Sequence, residues 1–142
     1  YYVKEHARGY LEALNRSYVK SDLLEIARGQ VEANSLALDN ATQVISDTDL
    51  LTIKIWSEYK YGQCDKWIIK KLETDLPDMY LICYPDLDWE DDPQRENPND
   101  RIELFEICLA EVKRLEVSFV VVKGKCEHRL EMAVNALKEI FV

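Results

Sequence analysis

Apolar residues recur along this chain in two patterns. In four short stretches they follow one another almost continuously or are β-branched and aromatic, which is typical of strands. In six others they return every three or four residues, as on one face of a helix. The pattern predicts strands over residues 1–5, 42–46, 79–84 and 118–122, and helices over residues 6–15, from Ser21 or Asp22 to 38, over 50–59 and 65–74, from Asp100 to 115, and after Gly124.

Polar residues at helix ends support these boundaries. Asp22 with Glu25, and Asp100 with Glu103, have the spacing of a capping box. We expect Asp65 to cap its helix and Gly62 to end the preceding one. The apolar faces of the second and last helices are expected to be buried; they carry Leu23, Leu24, Ile26, Ala27, Val31, Leu36 and Leu38, and Leu130, Ala133, Val134, Leu137 and Phe141.

Strands that alternate with helices predict an α/β fold, a parallel sheet with helices on both faces. Residues 79–84 and 118–122 are apolar nearly throughout, as expected of strands covered on both sides. Ligands of such sheets lie beyond the carboxyl ends of the strands. Asp47, Asp49 and the loop over residues 85–101 all fall at those ends.

Length and charge narrow the function classes. A chain of 142 residues is long enough for one domain with a core, so we expect a single domain over residues 1–142. A net charge of −9 argues against binding to nucleic acid or anionic membranes. The sequence shows no signal peptide and no apolar run long enough to span a bilayer, so we expect a cytoplasmic protein. The four cysteines lack metal-site spacing, and we expect them to be reduced thiols in the core, Cys83 and Cys108 among them.

The loop over residues 85–101 is the least ordinary stretch. It holds three of the four prolines, seven acidic residues and two arginines, Arg95 and Arg101. Polar loops of this length are usually functional lids or disordered segments. Arg95 and Arg101 could clamp a transferring phosphoryl group, or they could neutralise the surrounding carboxylates. Trp89 could stack on an aromatic ring.

Two further groups could carry chemistry. Asp47 follows a strand and precedes a helix, a position that suits Mg²⁺ bound with phosphate oxygens or a base for a hydroxyl proton; Asp49 fits a metal ligand less well than a helix cap. Glu5 and Arg8 could hold a sugar diol and an anion, or form a local ion pair. None of the four glycines begins a GxxxxGK[ST] or GxGxxG phosphate loop.

Three segments together resemble one family. Residues 22–30 (DLLEIARGQ), 47–56 (DTDLLTIKIW) and 89–101 (WEDDPQRENPNDR) are similar to the kinase domain of NadR-type ribosylnicotinamide kinases, which belong to a broad set of P-loop proteins labelled AAA-type ATPases. The resemblance runs from Glu5 to the last helix. It implies a P-loop nucleoside-kinase fold and transfer of the ATP γ-phosphate to the ribose 5′-hydroxyl of nicotinamide riboside, in NAD biosynthesis.

The resemblance also implies roles for individual residues. Asp47 would lie near Mg²⁺ and the acceptor hydroxyl, with Asp49 as a second metal ligand. Glu5, Arg8 and Gln30 would line the acceptor pocket, and Trp89 would stack on nicotinamide. Arg95 and Arg101 would be lid arginines over the phosphates, and Gly124 and Arg129 would lie near adenine.

The sequence departs from this family at its start. The family's first strand, P-loop and helix would precede Tyr1, and that strand would lie between the strands that end at Asp47 and Tyr84. We therefore expect the printed chain to be inactive alone, as an N-terminally incomplete kinase domain. The alternative is a non-catalytic nucleotide- or phosphate-binding regulatory module. A fused adenylyltransferase or DNA-binding domain and a homo-oligomer are both compatible with the resemblance.

Overall fold

Six helices and four strands alternate over residues 1–94 and 96–140, which the computed structural model describes. They divide into two compact units, Tyr1–Asp75 and Leu76–Val142. The first unit contains β1 (Tyr2–Val3), α1 (His6–Ala13), α2 (Lys20–Leu38), β2 (Ile45–Ser46), α3 (Leu50–Tyr61) and α4 (Lys66–Thr74). The second contains β3 (Met79–Cys83), α5 (Arg101–Arg114), β4 (Ser118–Val122) and α6 (Cys126–Ile140).

All strand pairing is parallel within the described residues, as the alternation of elements predicts. β1 pairs with β2 through Val3 and Ser46, and β3 pairs with β4 over five residue pairs from Met79–Ser118 to Cys83–Val122. The four strands form two separate two-stranded sheets rather than one sheet.

The core of the first unit forms around α2, which packs against α1, α3 and α4. Leu23, Ile26, Leu51, Ile68 and Leu72 are each at most 1% exposed. The predicted apolar stripe of α2 does not stay buried to its end, because Leu36 and Leu38 are 58% and 64% exposed. Periodicity marks one face of a helix, but it does not say how far a neighbouring element covers that face.

Helix caps agree with the sequence at some boundaries and not at others. Gly62 ends α3 in a left-handed conformation (φ 68°), and the Asp65 carboxylate accepts the Trp67 N–H at the start of α4. Asp100 is the N-cap residue of α5, as predicted, but its side chain makes no capping hydrogen bond. Asp22 is not the N-cap of α2, which begins at Lys20; it is the third helical residue, and its carboxylate accepts the N–H of the N-cap residue Val19.

Asp22 lies in the first turn of α2 and is the most heavily bonded carboxylate of the first unit. Its side chain accepts hydrogen bonds from both terminal nitrogens of Arg16 (2.7 Å each), from the Val19 N–H (2.7 Å) and from the Tyr10 hydroxyl (3.0 Å). Only 4% of the residue is exposed. The Arg16 guanidinium, and then the Val19 N–H, hold the pKa of Asp22 well below its usual range.

The second unit is less completely buried than its apolar strands predict. α5 packs on β3 and α6 on β4, with Ile82, Val112, Val122 and Ala136 buried. Most strand residues are half-exposed, so the expectation of strands covered on both faces is wrong here. All four cysteines are free thiols. Cys83 and Cys126 are exposed and do not lie in the core. Leu130 (65%) and Val134 (38%) on α6 are also exposed, and Phe141 lies outside the described residues.

Gly29 marks a close approach between α1 and α2. A Cβ at this position would overlap the imidazole ring of His6, the first residue of α1. Glycine in a helix interior is about 1 kcal/mol less favourable than alanine, so the sequence accepts a weaker helix in exchange for this packing. The same junction is fixed by the His6 N–H, which donates to Gln30 Oε1 at 2.8 Å.

We predict that Asp22→Asn lowers the melting temperature by several degrees near neutral pH. Because the folded-state pKa of Asp22 is depressed, its ionised form stabilises the fold above its unfolded pKa of about 3.9, and this contribution disappears as the pH falls toward the folded pKa. Thermal unfolding of both proteins between pH 7 and pH 2 should show the difference narrowing below about pH 4. A difference that stays constant across this range would contradict the assignment.

We predict that the effect of Gly29→Ala depends on His6. In the natural background the added methyl group displaces the imidazole, and the gain in helix propensity is lost or reversed. In a His6→Ala background the same change should stabilise the protein by about 1 kcal/mol. Denaturant unfolding of the four proteins in this cycle measures the coupling, and additive effects would exclude the proposed overlap.

Candidate functional site

Polar side chains gather at the carboxyl ends of β1 and β2. Asp47 directly follows β2, and its backbone N–H donates to Val3 O at 2.8 Å. The Tyr2 hydroxyl donates to Asp47 Oδ2 at 2.9 Å, so the two strands are also joined through side chains. This hydrogen bond, followed by partial desolvation, raises the pKa of the Tyr2 phenol, and Glu5 adds a smaller effect of the same sign. Asp47 and Glu5 therefore act on the same end of this sheet.

The two carboxylates of the segment 47–49 have different roles in the structure. Asp49 is the N-cap of α3, and its Oδ1 accepts the N–H groups of Leu51 (3.0 Å) and Thr52 (3.3 Å). The expectation that Asp49 acts as a helix cap is confirmed. Asp47 takes no part in this cap and its side chain is exposed at the strand end. Thr48 between them has φ 70°, a left-handed conformation that is costly for a β-branched residue.

A buried polar network supports this turn from below. Gln30 is 1% exposed, and its Nε2 donates to Asn34 Oδ1 (3.2 Å) and to Ser46 Oγ (3.1 Å) while its Oε1 accepts the His6 N–H. The Ser46 hydroxyl lies 2.8 Å from both Asn34 Oδ1 and Thr48 O, either of which can accept its proton. The structure thus places Gln30, which the resemblance assigns to an acceptor pocket, in the packing between α1, α2 and β2.

Glu5 and Arg8 lie at the start of α1, immediately after β1. The Arg8 Nε and Glu5 Oε2 are 3.9 Å apart, with side chains 46% and 33% exposed. This spacing matches the local ion pair that the sequence offers as one interpretation, and such an exposed pair contributes little stability. Both groups stay accessible at the same end of the strands as Asp47.

In the second unit, the structure brings together two residues that the sequence assigns separate roles. The Arg101 guanidinium lies 5.7 Å from the centre of the Trp89 ring, and its Nη1 donates to Leu87 O at 2.8 Å. The Trp89 indole N–H donates to Asp91 Oδ1 at 2.9 Å. The first residue of α5 therefore holds the beginning of the loop over residues 85–101. Arg95, the other predicted lid arginine, lies outside the described residues.

Gly124 and Arg129, the predicted adenine neighbours, are also brought together. Arg129 Nη1 donates to Gly124 O at 3.1 Å and to Asp86 Oδ1 at 2.7 Å, while Nη2 donates to Tyr84 O at 2.8 Å. The Gly124 N–H in turn donates to Asp86 Oδ2 at 2.6 Å. The Gly124 N–H, and then the Arg129 guanidinium, hold the pKa of Asp86 below its usual range.

Tyr2 and Asp86 are the functional candidates that the sequence does not single out. The strand pattern explains why an aromatic residue stands at Tyr2. It does not indicate that the Tyr2 hydroxyl bonds to a residue 45 positions away. Asp86 is one of seven acidic residues in its loop and differs from the others only in tertiary contacts. Its position shortly after a predicted strand is the one signal that could have found it.

The described residues contain neither a cluster of metal ligands nor a helix of membrane-spanning character. Among residues 1–94 and 96–140, no cluster of three or more His, Cys, Asp or Glu side chains could by itself hold a metal ion. No helix within the same residues has both the length and the apolar content that a bilayer crossing requires.

Comparison with known proteins identifies the family. No curated protein matches the chain. The family model of the AAA domain matches residues 1–129, which include both strand pairs, Asp47 and the whole loop over residues 85–101. The chain therefore belongs to the AAA domain family, whose members are nucleotide-binding domains of the P-loop type.

Proposed function

We propose that this AAA domain belongs to a kinase that transfers the ATP γ-phosphate to the ribose 5′-hydroxyl of nicotinamide riboside. In that reaction a bond forms between the hydroxyl oxygen and the γ-phosphorus, the bond from the γ-phosphorus to the bridging oxygen breaks, and ADP leaves with the hydroxyl proton passing to a base. Membership of a nucleotide-binding family and the three segments that resemble ribosylnicotinamide kinases support the proposal.

The observation that carries the proposal is the separation of roles between Asp47 and Asp49. The first N–H groups of α3 are capped by the Asp49 carboxylate. Asp47 is therefore available at the end of a parallel strand, exposed, with its Oδ2 held by the Tyr2 hydroxyl. A carboxylate in this position suits a group that orients or deprotonates an acceptor hydroxyl.

The residues present also fit a magnesium ion. Mg²⁺ is commonly bound by one or two carboxylates together with phosphate oxygens and water, so a full protein cage is unnecessary. Asp47 would be the primary ligand, with Asp49, two residues further along the chain, as the second. When bound with ATP, the ion would neutralise charge on the phosphates.

The acceptor and lid roles follow from the resemblance, and the contacts refine them. Glu5 and Arg8, exposed after β1, would bind the ribose hydroxyls and an anionic group, and Gln30 would act indirectly by fixing His6 and Ser46. Trp89 would offer to nicotinamide the ring face that Arg101 does not cover. We assign Arg95 to the phosphates and Arg101 to holding the lid.

The second candidate is a nucleotide-binding regulatory module without turnover. One observation favours it. Arg101 and Arg129 donate to backbone oxygens and a carboxylate of the protein itself. In this case the same site would bind a nucleotide or another phosphate and transmit its presence to a fused domain.

The deciding experiment uses the protein with whatever residues precede Tyr1 in its natural reading frame. It is incubated with ATP, Mg²⁺ and nicotinamide riboside, and ADP and nicotinamide mononucleotide are quantified by mass spectrometry. Riboside-dependent formation of both products in equal amounts supports the kinase. Adenosine and uridine serve as control nucleosides. If the protein binds ATP but none of the three nucleosides increases ADP formation, the kinase is excluded and the regulatory module is favoured.

We predict that Asp47→Asn lowers kcat by a factor on the order of a hundred or more while KM for nicotinamide riboside changes little. The amide keeps the size and the bond from Tyr2 but cannot accept a proton. The matched control is Asp49→Asn, since asparagine caps a helix about as well as aspartate does, so the melting temperature should be unchanged. If kcat is unchanged in Asp47→Asn, Asp47 is not a catalytic residue. If kcat falls in Asp49→Asn while the melting temperature is unchanged, Asp49 is also a metal ligand.

A further inference from the structure

The Asp86–Arg129 ion pair joins three parts of the second unit. The side chains are only 27% and 17% exposed. Four hydrogen bonds of 2.6–3.1 Å involve these two side chains. They connect three segments: the chain that leaves β3 at Tyr84, the turn at Gly124 after β4, and the first turns of α6. Tyr84 is itself bound to β4, because its N–H donates to Val122 O at 2.8 Å.

The turn at Gly124 has a shape that depends on these contacts. Gly124 has φ 90°, which side-chain-bearing residues rarely adopt, and a Cβ there would come within 2.9 Å of His128 Cδ2. Cys126, two residues later, also has a positive φ of 46°. A connection with two left-handed residues persists only when contacts with its surroundings stabilise it. Here the Asp86 carboxylate accepts the Gly124 N–H, and the Arg129 guanidinium donates to the Gly124 C=O.

Arg129 holds parts of the protein itself in this arrangement. Its two terminal nitrogens donate to the Asp86 carboxylate and to two backbone carbonyls, and the pair stays ionised because the pKa of Asp86 is depressed. The groups that face outward around the turn are instead the exposed Lys123 and Lys125. In a chain of net charge −9, Lys123 and Lys125, one on each side of Gly124, give this turn a local positive charge.

We propose that Asp86 and Arg129 are positioning residues, which hold the Gly124 turn in the shape that receives the nucleoside triphosphate. This assignment rests on the proposed function and adds Asp86 to it. The turn lies beyond the carboxyl ends of β3 and β4, where open α/β sheets bind ligands. Asp86 and Arg129 hold its backbone at the Gly124 N–H and C=O. Asp86 and Arg129 act through the turn and do not touch the reacting atoms.

Asp86→Asn is the direct test. The amide retains an oxygen that can accept the Gly124 N–H but loses the charge opposite Arg129, so we expect the Kd of the fluorescent analogue mant-ATP and the KM for ATP to rise about tenfold. The KM for nicotinamide riboside should stay within twofold. Glu111→Gln is the matched control, since it removes the exposed Glu111–Arg114 pair (3.1 Å) of α5 and should change neither KM.

Conservative changes distinguish positioning from simple stability. Asp86→Glu keeps the charge and should recover part of the affinity for ATP. Arg129→Lys keeps a cation near Asp86 but cannot reach both Tyr84 O and Gly124 O, so it should resemble Asp86→Asn. The proposal would be overturned if these substitutions lower the melting temperature and either leave both KM values unchanged or raise both KM values by the same factor.

A measurement on the unsubstituted protein applies even if Asp86→Asn does not fold. In amide NMR spectra recorded with increasing ATP, the signals of Lys123, Gly124 and Lys125 should shift and saturate with the same Kd as mant-ATP. Shifts elsewhere without any at this turn would overturn the positioning role and leave the proposed function standing. No shift at any amide, with no mant-ATP binding, would overturn both.

Discussion

The last hydrogen bond of each parallel strand pair is the constraint on which the rest of this structure depends. In the first unit the Asp47 N–H donates to Val3 O, and in the second the Tyr84 N–H donates to Val122 O, both at 2.8 Å. In each case the donor is the residue just after a strand. Because backbone N–H groups must be paired when they are withdrawn from water, this bond fixes where the chain leaves the sheet. Of the candidate groups, Asp47 is itself one of these donors, and Asp86 lies two residues after the other.

Four acidic residues illustrate how the partners of a carboxylate decide its function. Asp22 is buried against Arg16, Asp49 caps a helix, and Asp86 is paired with Arg129. Each of these carboxylates stabilises a local structure through a cation or backbone N–H groups. Asp47 differs because its described partner is a neutral phenol on the neighbouring strand. A carboxylate without a cation or a helix end to stabilise is the one best placed to act on a ligand.

The arginines show the same division. Arg16 and Arg129 bind carboxylates, and Arg101 binds a backbone carbonyl next to the Trp89 ring. Guanidinium groups suit such junctions because they present several donors in one plane. The consequence for function is that arginines which look like phosphate ligands in the sequence can instead hold the loops around a site.

The sequence by itself determined the order and type of every described element, the parallel pairing, the caps at Gly62 and Asp65, and Asp49 as the cap that leaves Asp47 exposed. These features depend on local periodicity, backbone geometry and contacts within a few residues. Tertiary structure alone decided that the strands form two separate pairs, that Leu36 and Leu130 are exposed, and that Tyr2 meets Asp47 and Asp86 meets Arg129. These last two contacts join residues more than 40 positions apart, and composition and spacing carry no information about which distant partner a polar side chain will reach.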